Sequence, residues 1–164
     1  MGLDMYLEAR KYFSKIDYKS DSDEKLPEYK ELTKFFPAGS DELGSHAGAH
    51  LEITVGYWRK ANAIHAWFVR ECADGVDECQ PIRVGNGKLR ELRAIVEFLL
   101  FLKDEPNVEE QVEKLLPPQA GFFFGSTELD EYYWGDLEHT KNILDKAIVL
   151  EEHQNCSIRY QASW

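Results

Sequence analysis

HLEITVGYWRKANAIHAWFVREC, residues 50 to 72, is the stretch on which the fold turns. His50 to Val55 carries the β-branched residues of a strand and runs into Gly56. YWRKANAIHAWFVREC, residues 57 to 72, has no internal Gly or Pro and reads as a helix. One row of that helix holds Tyr57, Ala61, Ile64 and Phe68; a second holds Trp58, Asn62, His65 and Val69. Apolar side chains on several faces imply burial on more than one side.

Outward from this pair, the pattern supplies the remaining elements. Residues 3 to 13 partly alternate, with Leu3, Met5 and Leu7 on one side, as in a half-buried strand. Residues 14 to 25 and 37 to 48 read as loops, and Pro27 opens a short helix bearing Tyr29, Leu32 and Phe36. QPIRV, residues 80 to 84, is a short strand after the ADGVDE turn. Leu89, Leu92, Ile95, Val96, Leu99 and Leu102 mark the buried stripe of a long helix, followed by Pro106. VEEQVEKLL is a shorter helix stopped by Pro117 and Pro118. Thr127 and Asp130 have capping-box spacing and predict a helix from about residue 128 along Tyr133, Leu137, Leu144 and Ile148. In the tail, Ile158 and Tyr160 share one side of a strand. The expectation is a single α+β domain over residues 1 to 164, with a small, mostly antiparallel sheet of three or four strands and four or five helices.

A chain of 164 residues, 43% hydrophobic, is long enough to bury a core. Its longest apolar run, around Ala94 to Leu102, is broken by Glu97 and too short to span a bilayer. The N-terminus carries Asp4 and Glu8 where a secretory signal carries basic residues, and Gly2 lacks the Ser or Thr of a myristoylation pattern, so a cytoplasmic protein is expected. Cys72, Cys79 and Cys156 form no C-x-x-C pair and predict neither disulfides nor a zinc site. A net charge of -11 argues against general nucleic-acid binding. Residues 55 to 103 nevertheless hold eight Lys or Arg against six acids, whereas residues 104 to 154 hold three against thirteen. That asymmetry suits a small anion held by a few cations, or an acidic surface offered to a basic protein.

PPQAGFFFGSTELDEYYWGDL, residues 117 to 137, concentrates aromatic side chains. In a strand, Phe122 and Phe124 face one side and Phe123 the other, either as a strand buried between layers or with Phe124 lining a cavity. Gly125, Ser126 and Thr127 lead into a helix, where backbone N–H groups and hydroxyls either cap it or receive a carboxylate or phosphate. Tyr132, Tyr133, Trp134, Tyr57, Trp58 and Trp67 combine ring faces for stacking with polar edges. Arg59 and Lys60 can meet an anion, Asn62 both donates and accepts, and His65 titrates near neutrality unless it is a bonded core histidine. No metal is expected: His46 and His50 have helical ligand spacing, but Gly44 and Gly48 oppose a helix there. VGNGK has the wrong glycine spacing for a phosphate loop, and no cofactor is expected.

The start MGLDMYL, the segment VGYWRKANAIHAWFV, the turn GVDEC and LLPPQAGFFFGSTELDEYYWGDL together resemble a family of small proteins from tailed bacteriophages and prophages. The resemblance covers residues 49 to 145 and the first seven residues; Gln80 and Pro81 depart from it, where relatives carry Gly after the turn. It implies a phage protein in a bacterial cytoplasm and supplies no mechanism. Three functions are weighed. The first is sequestration of a small anionic ring-containing ligand, a nucleotide or nucleotide-derived signal, through Trp58, Arg59, Lys60, Asn62, His65, Phe124, Ser126, Thr127, Tyr133 and Trp134. In a phage setting such sequestration would counter a host defence. The second is an acidic inhibitor docking on a host protein, and the third a hydrolase or transferase using His65 with Asp130 or Asp136. Oligomeric state is left open, a homo-oligomer included.

Overall fold

The computed structural model describes residues 2–17, 26–36, 46–85, 87–120 and 127–164. In chain order the elements are β1 (Asp4–Ser14), α1 (Pro27–Thr33), β2 (Gly48–Arg59), α2 (Asn62–Cys72), β3 (Ile82–Val84), α3 (Lys88–Phe101), α4 (Val108–Leu115), α5 (Glu131–Gln154) and β4 (Ser157–Ser163). The four strands form an antiparallel sheet in the order β2-β1-β4-β3, and the fold is α+β, as the sequence predicts. β3 pairs with β4 in the register Ile82↔Tyr160, Arg83↔Arg159 and Val84↔Ile158.

The chain divides into two compact units, Arg10–Ile53 and the remainder, Met1–Ala9 with Thr54–Trp164. In the larger unit the alternation read from the sequence sets the sheet's buried face. Met5, Leu7 and Ala9 of β1 are buried, as are Ile158, Tyr160 and Ala162 of β4. Against them lie Ile64, Trp67 and Phe68 of α2, Leu89, Leu92, Val96 and Leu99 of α3, and Leu137, Ile143, Leu144 and Ala147 of α5. Phe68 and Tyr160 stack at 4.2 Å between centroids with planes 12° apart, fixing α2 over β4. A Cβ on Gly56 would lie 2.2 Å from Cγ2 of Ile143, so glycine is what lets β2 approach α5 this closely. Arg93 of α3 bonds Asp145 of α5 at 2.5 Å and Glu97 at 2.6 Å, and Lys141 adds a 3.3 Å contact to Glu97.

In the smaller unit, the Lys15 and Leu26 amides donate to Ala47 and Lys15 carbonyls, at 3.0 and 2.9 Å. Tyr29 of α1 is buried, and the Tyr12 and His50 rings meet at 5.0 Å. Among the described residues, no helix is long and apolar enough to cross a membrane.

Helix α1 ends at Thr33, so Phe36, read as part of it, lies beyond it and is exposed; β2 begins at Gly48, inside the expected loop, and β3 only at Ile82; two further differences matter to the site. The helix expected over residues 57 to 72 begins only at Asn62, because β2 continues through Arg59. The helix expected from about residue 128 begins at Glu131. Asp130 caps it, its carboxylate accepting the Tyr132 and Tyr133 amides at 3.0 Å, so Thr127 lies outside the cap.

Candidate functional site

The passage from β2 to α2 is made within two residues. Trp58, the last buried side chain of β2, donates its indole N–H to Thr140 Oγ1 at 2.8 Å, and that hydroxyl donates to the Asp136 carbonyl at 2.6 Å. The end of β2 is thereby tied to the first half of α5. Lys60 then takes φ = 64°, a left-handed conformation unusual outside glycine and asparagine. Its amide donates to the Leu3 carbonyl at 2.8 Å, and its carbonyl accepts the Asn62 amide at 2.8 Å. The chain turns sharply enough for α2 to start with no side chain capping it at Ala61. The first-turn amides of Ala63 and Ile64 have no partner within the helix, and the positive end of the helix dipole lies there.

That turn opens on a cleft of about 330 Å³. Its volume falls within the range of about 300–1,000 Å³ typical of small-molecule sites. Arg59, Lys60, Asn62 and the first turn of α2 line one part of it, and Pro118, Gln119, Glu128, Asp130, Tyr132, Tyr133 and Asp136 line the rest. Tyr132 is 75% exposed, so its ring is available to a guest. Tyr133 is buried, and its hydroxyl donates to the Leu116 carbonyl at 2.8 Å, which leaves only its ring surface to the cleft. Burial raises the Tyr133 phenol well above its usual value, so it stays protonated. The Asp136 carboxyl is pushed up to about 6, chiefly by burial, with the nearby Asp130 charge adding and His139 opposing.

Of the residues singled out from the sequence, Arg59, Lys60, Asn62 and Tyr133 meet at this cleft. Trp58 is buried beneath it as an anchor and does not line it. His65 shares α2 with Asn62 at i, i+3 spacing, as expected, but not with Trp58, which belongs to a strand, and it does not line the cleft. Its Nδ1 lies 2.7 Å from Tyr160 Oη and its Nε2 3.0 Å from Asp77 Oδ2, with the Trp164 ring 5.7 Å away. His65 is part-buried with both ring nitrogens bonded, and its carboxylate partner, Asp77, is neither Asp130 nor Asp136. Trp134 is buried under Lys103, whose Nζ stands 5.7 Å from the ring centroid, and Thr127 is exposed; neither lines the cleft. Phe124 and Ser126 lie outside the described residues.

The sequence marks Asp130 and Asp136 only as acid-base candidates, and Pro118, Gln119 and Glu128 only as members of the aromatic-rich stretch 117 to 137. Among the described residues, no group of three or more His, Cys, Asp or Glu side chains is placed to hold a metal ion. Burial pushes the Cys72 thiol up to about 11, so it is not a thiolate at neutral pH. Compared with known proteins, the chain matches no family model, no curated protein and no solved structure.

Proposed function

We infer that this chain binds a small anionic, ring-containing ligand, a nucleotide or nucleotide-derived molecule, in the cleft at the start of α2. The observation that carries this reading is the convergence of Arg59, Lys60 and an uncapped helix start on one side of a cavity of mononucleotide scale. Helix starts favour anions through their free amides and dipole, and two adjacent cations add to the same field. Tyr132 supplies an exposed aromatic face for a ring to stack on. In the phage context that the sequence resemblance suggests, holding such a ligand in a bacterial cytoplasm would withdraw it from a host defence.

Native mass spectrometry of the full chain purified from bacteria, followed by titration with mononucleotides, tests this. A co-purifying or titratable phosphate-bearing mass is expected, weakened at least about tenfold by Arg59→Ala, since charge-assisted contacts contribute about 1.5–3 kcal/mol. A wild-type protein that takes up no nucleotide at millimolar concentration would refute it.

The second reading is an acidic module that docks on a host protein. Thirteen acids against three bases over residues 104 to 154, and the exposed Phe98 and Phe101 of α3, favour it. Stoichiometric recovery of one host protein, without any bound nucleotide, would turn the assignment to this reading.

A further inference from the structure

The outer side of α3 ends in two exposed phenylalanines. Leu89, Leu92, Val96 and Leu99 face the core, whereas Phe98 is 43% and Phe101 81% exposed. At i, i+3 spacing the two side chains are neighbours on one face, about 4.5 Å apart along the helix axis. The charges beyond them are arranged differently from those on the helix itself. Both acids within α3 are paired, Glu91 with Lys88 at 2.8 Å and Glu97 with Arg93 at 2.6 Å. After Phe101 the chain turns tightly, the Leu102 and Glu105 amides donating to the Phe98 and Leu102 carbonyls at 3.1 and 2.8 Å. Asp104, Glu105, Glu109, Glu110 and Glu113 are exposed there and along α4, and among the described residues none of these carboxylates has an ion pair. Glu109 and Glu110 suit the start of α4, but Asp104 and Glu105 follow the negative end of the α3 dipole, and no basic residue occupies that helix's last turn. The adjacent Lys103 sends its Nζ over the Trp134 ring, 5.7 Å from the centroid.

We propose that this end of α3 docks a basic amphipathic helix of a partner protein, its apolar stripe seated on Phe98 and Phe101 and its flanking Lys or Arg side chains facing Asp104, Glu105 and the acids of α4. This rests on the docking reading above, gives it a surface and a partner chemistry, and does not depend on the nucleotide reading. The sign of the local field decides the occupant. A second copy across a twofold axis would bring the same acids against their images, and nucleic acid or an anionic membrane would meet repulsion. A basic segment is attracted instead, and the apolar pair then gains by leaving water. A helix fits because the surface is itself one face of a helix. Its backbone groups are bonded within α3, so an extended peptide finds no strand edge to pair with, whereas side-chain ridges can interdigitate. Acids placed where the α3 dipole opposes them are accounted for by cations that arrive with the partner.

The test is calorimetric titration of the full chain with a synthetic Leu/Lys helix of about 18 residues whose leucines form one stripe, alongside a scrambled peptide of the same composition and a Leu/Glu helix. The Leu/Lys helix is expected to bind, more weakly as ionic strength rises, with the scrambled peptide at least about tenfold weaker and the Leu/Glu helix not taken up. The double variant Phe98→Ser/Phe101→Ser, checked for folding by circular dichroism, is expected to lose at least about tenfold in affinity, and Asp104→Asn/Glu105→Gln several-fold. Equal affinity in the folded phenylalanine variant, or for the scrambled peptide, would overturn the proposal, because charge alone would then account for binding. No uptake of the Leu/Lys helix by the wild type would also overturn it. So would wild-type dimers that the phenylalanine variant abolishes, since a second copy would then be the occupant. A host protein recovered equally by wild type and by the phenylalanine variant would move docking off this surface while leaving the docking reading standing.

Discussion

Replacing Asp136 by Asn should make the protein more stable at neutral pH. The carboxyl lies half-buried beside the cleft, and burial raises its pKa from 3.8 to about 6. In the unfolded chain the same group titrates near 3.8, so the native state binds its proton more tightly. Stability contributed by this group is therefore greatest below about pH 4, falls as pH rises toward 6, and stays at its lower level above that. At about 1.4 kcal/mol per pH unit the full difference is near 3 kcal/mol, and screening of a part-exposed side chain leaves about 1–2 kcal/mol. Asn keeps the shape, carries no charge, and leaves the Asp136 carbonyl free to accept from Thr140 as before. Urea unfolding of both proteins from pH 4.5 to 7.5 should show the variant ahead by about 1–2 kcal/mol at pH 7.5, with the gap closing toward pH 4.5. A gap that is absent at pH 7.5, or that does not change with pH, would refute the reasoning. Asp130 and His139 on the same side of the chain, and Glu128, Arg59 and Lys60 around the cleft, are the other charged or titratable groups that surround the Asp136 carboxyl.

Thr140→Val removes the acceptor for the buried Trp58 indole and should cost about 1–3 kcal/mol in chemical denaturation. Because that bond holds the end of β2 beside α5, ligand affinity should fall with it. His65→Ala leaves the buried Tyr160 hydroxyl without its 2.7 Å partner and should cost a similar amount, yet leave nucleotide affinity unchanged in the folded protein. Loss of binding there would return His65 to the site. Gly56→Ala should destabilise by about 1–3 kcal/mol through overlap with Ile143, and Ile143→Ala in the same chain should recover part of that loss, as a double-mutant cycle would show.

Most of the fold was legible because burial imposes periodicity. The alternation in β1 and β4 and the stripe in α3 each name the side chains that end up in the core. The site was less legible, for a reason located at Lys60. No glycine, proline or asparagine marks the turn at Lys60 and Ala61, so WRKAN reads as uninterrupted helix although the chain changes from strand to helix within it. The error moved Trp58 onto a helical face and joined it to His65. Arg59, Lys60 and Asn62 survived the error because they sit at the turn itself, wherever the helix is taken to begin. Asp130 and Asp136 could be named from the sequence but not joined to Arg59, Lys60 and Asn62, since the packing of α5 against β2, through Gly56 and the Trp58–Thr140 bond, brings residues more than sixty positions apart to one cleft.

Two locally unfavourable choices coincide at this cleft. A non-glycine residue in the left-handed region costs roughly 1 kcal/mol, and an ionised carboxylate kept in a half-buried place costs about as much. Other positive-φ residues have turn or capping settings: Asn155 ends α5, Asp74 follows α2, and Cys79 lies in the turn before β3. Lys60 instead turns the chain so that its own position, Arg59 and the first amides of α2 all border one cavity. Glycine at position 60 would relieve the strain and remove a cation. If the cleft had no task, Lys60→Gly and Asp136→Asn would both be improvements with no accompanying loss. The expectation is that both raise or preserve stability and that Lys60→Gly weakens nucleotide binding, and a Lys60→Gly protein that gained stability at unchanged affinity would leave the strained turn without a purpose.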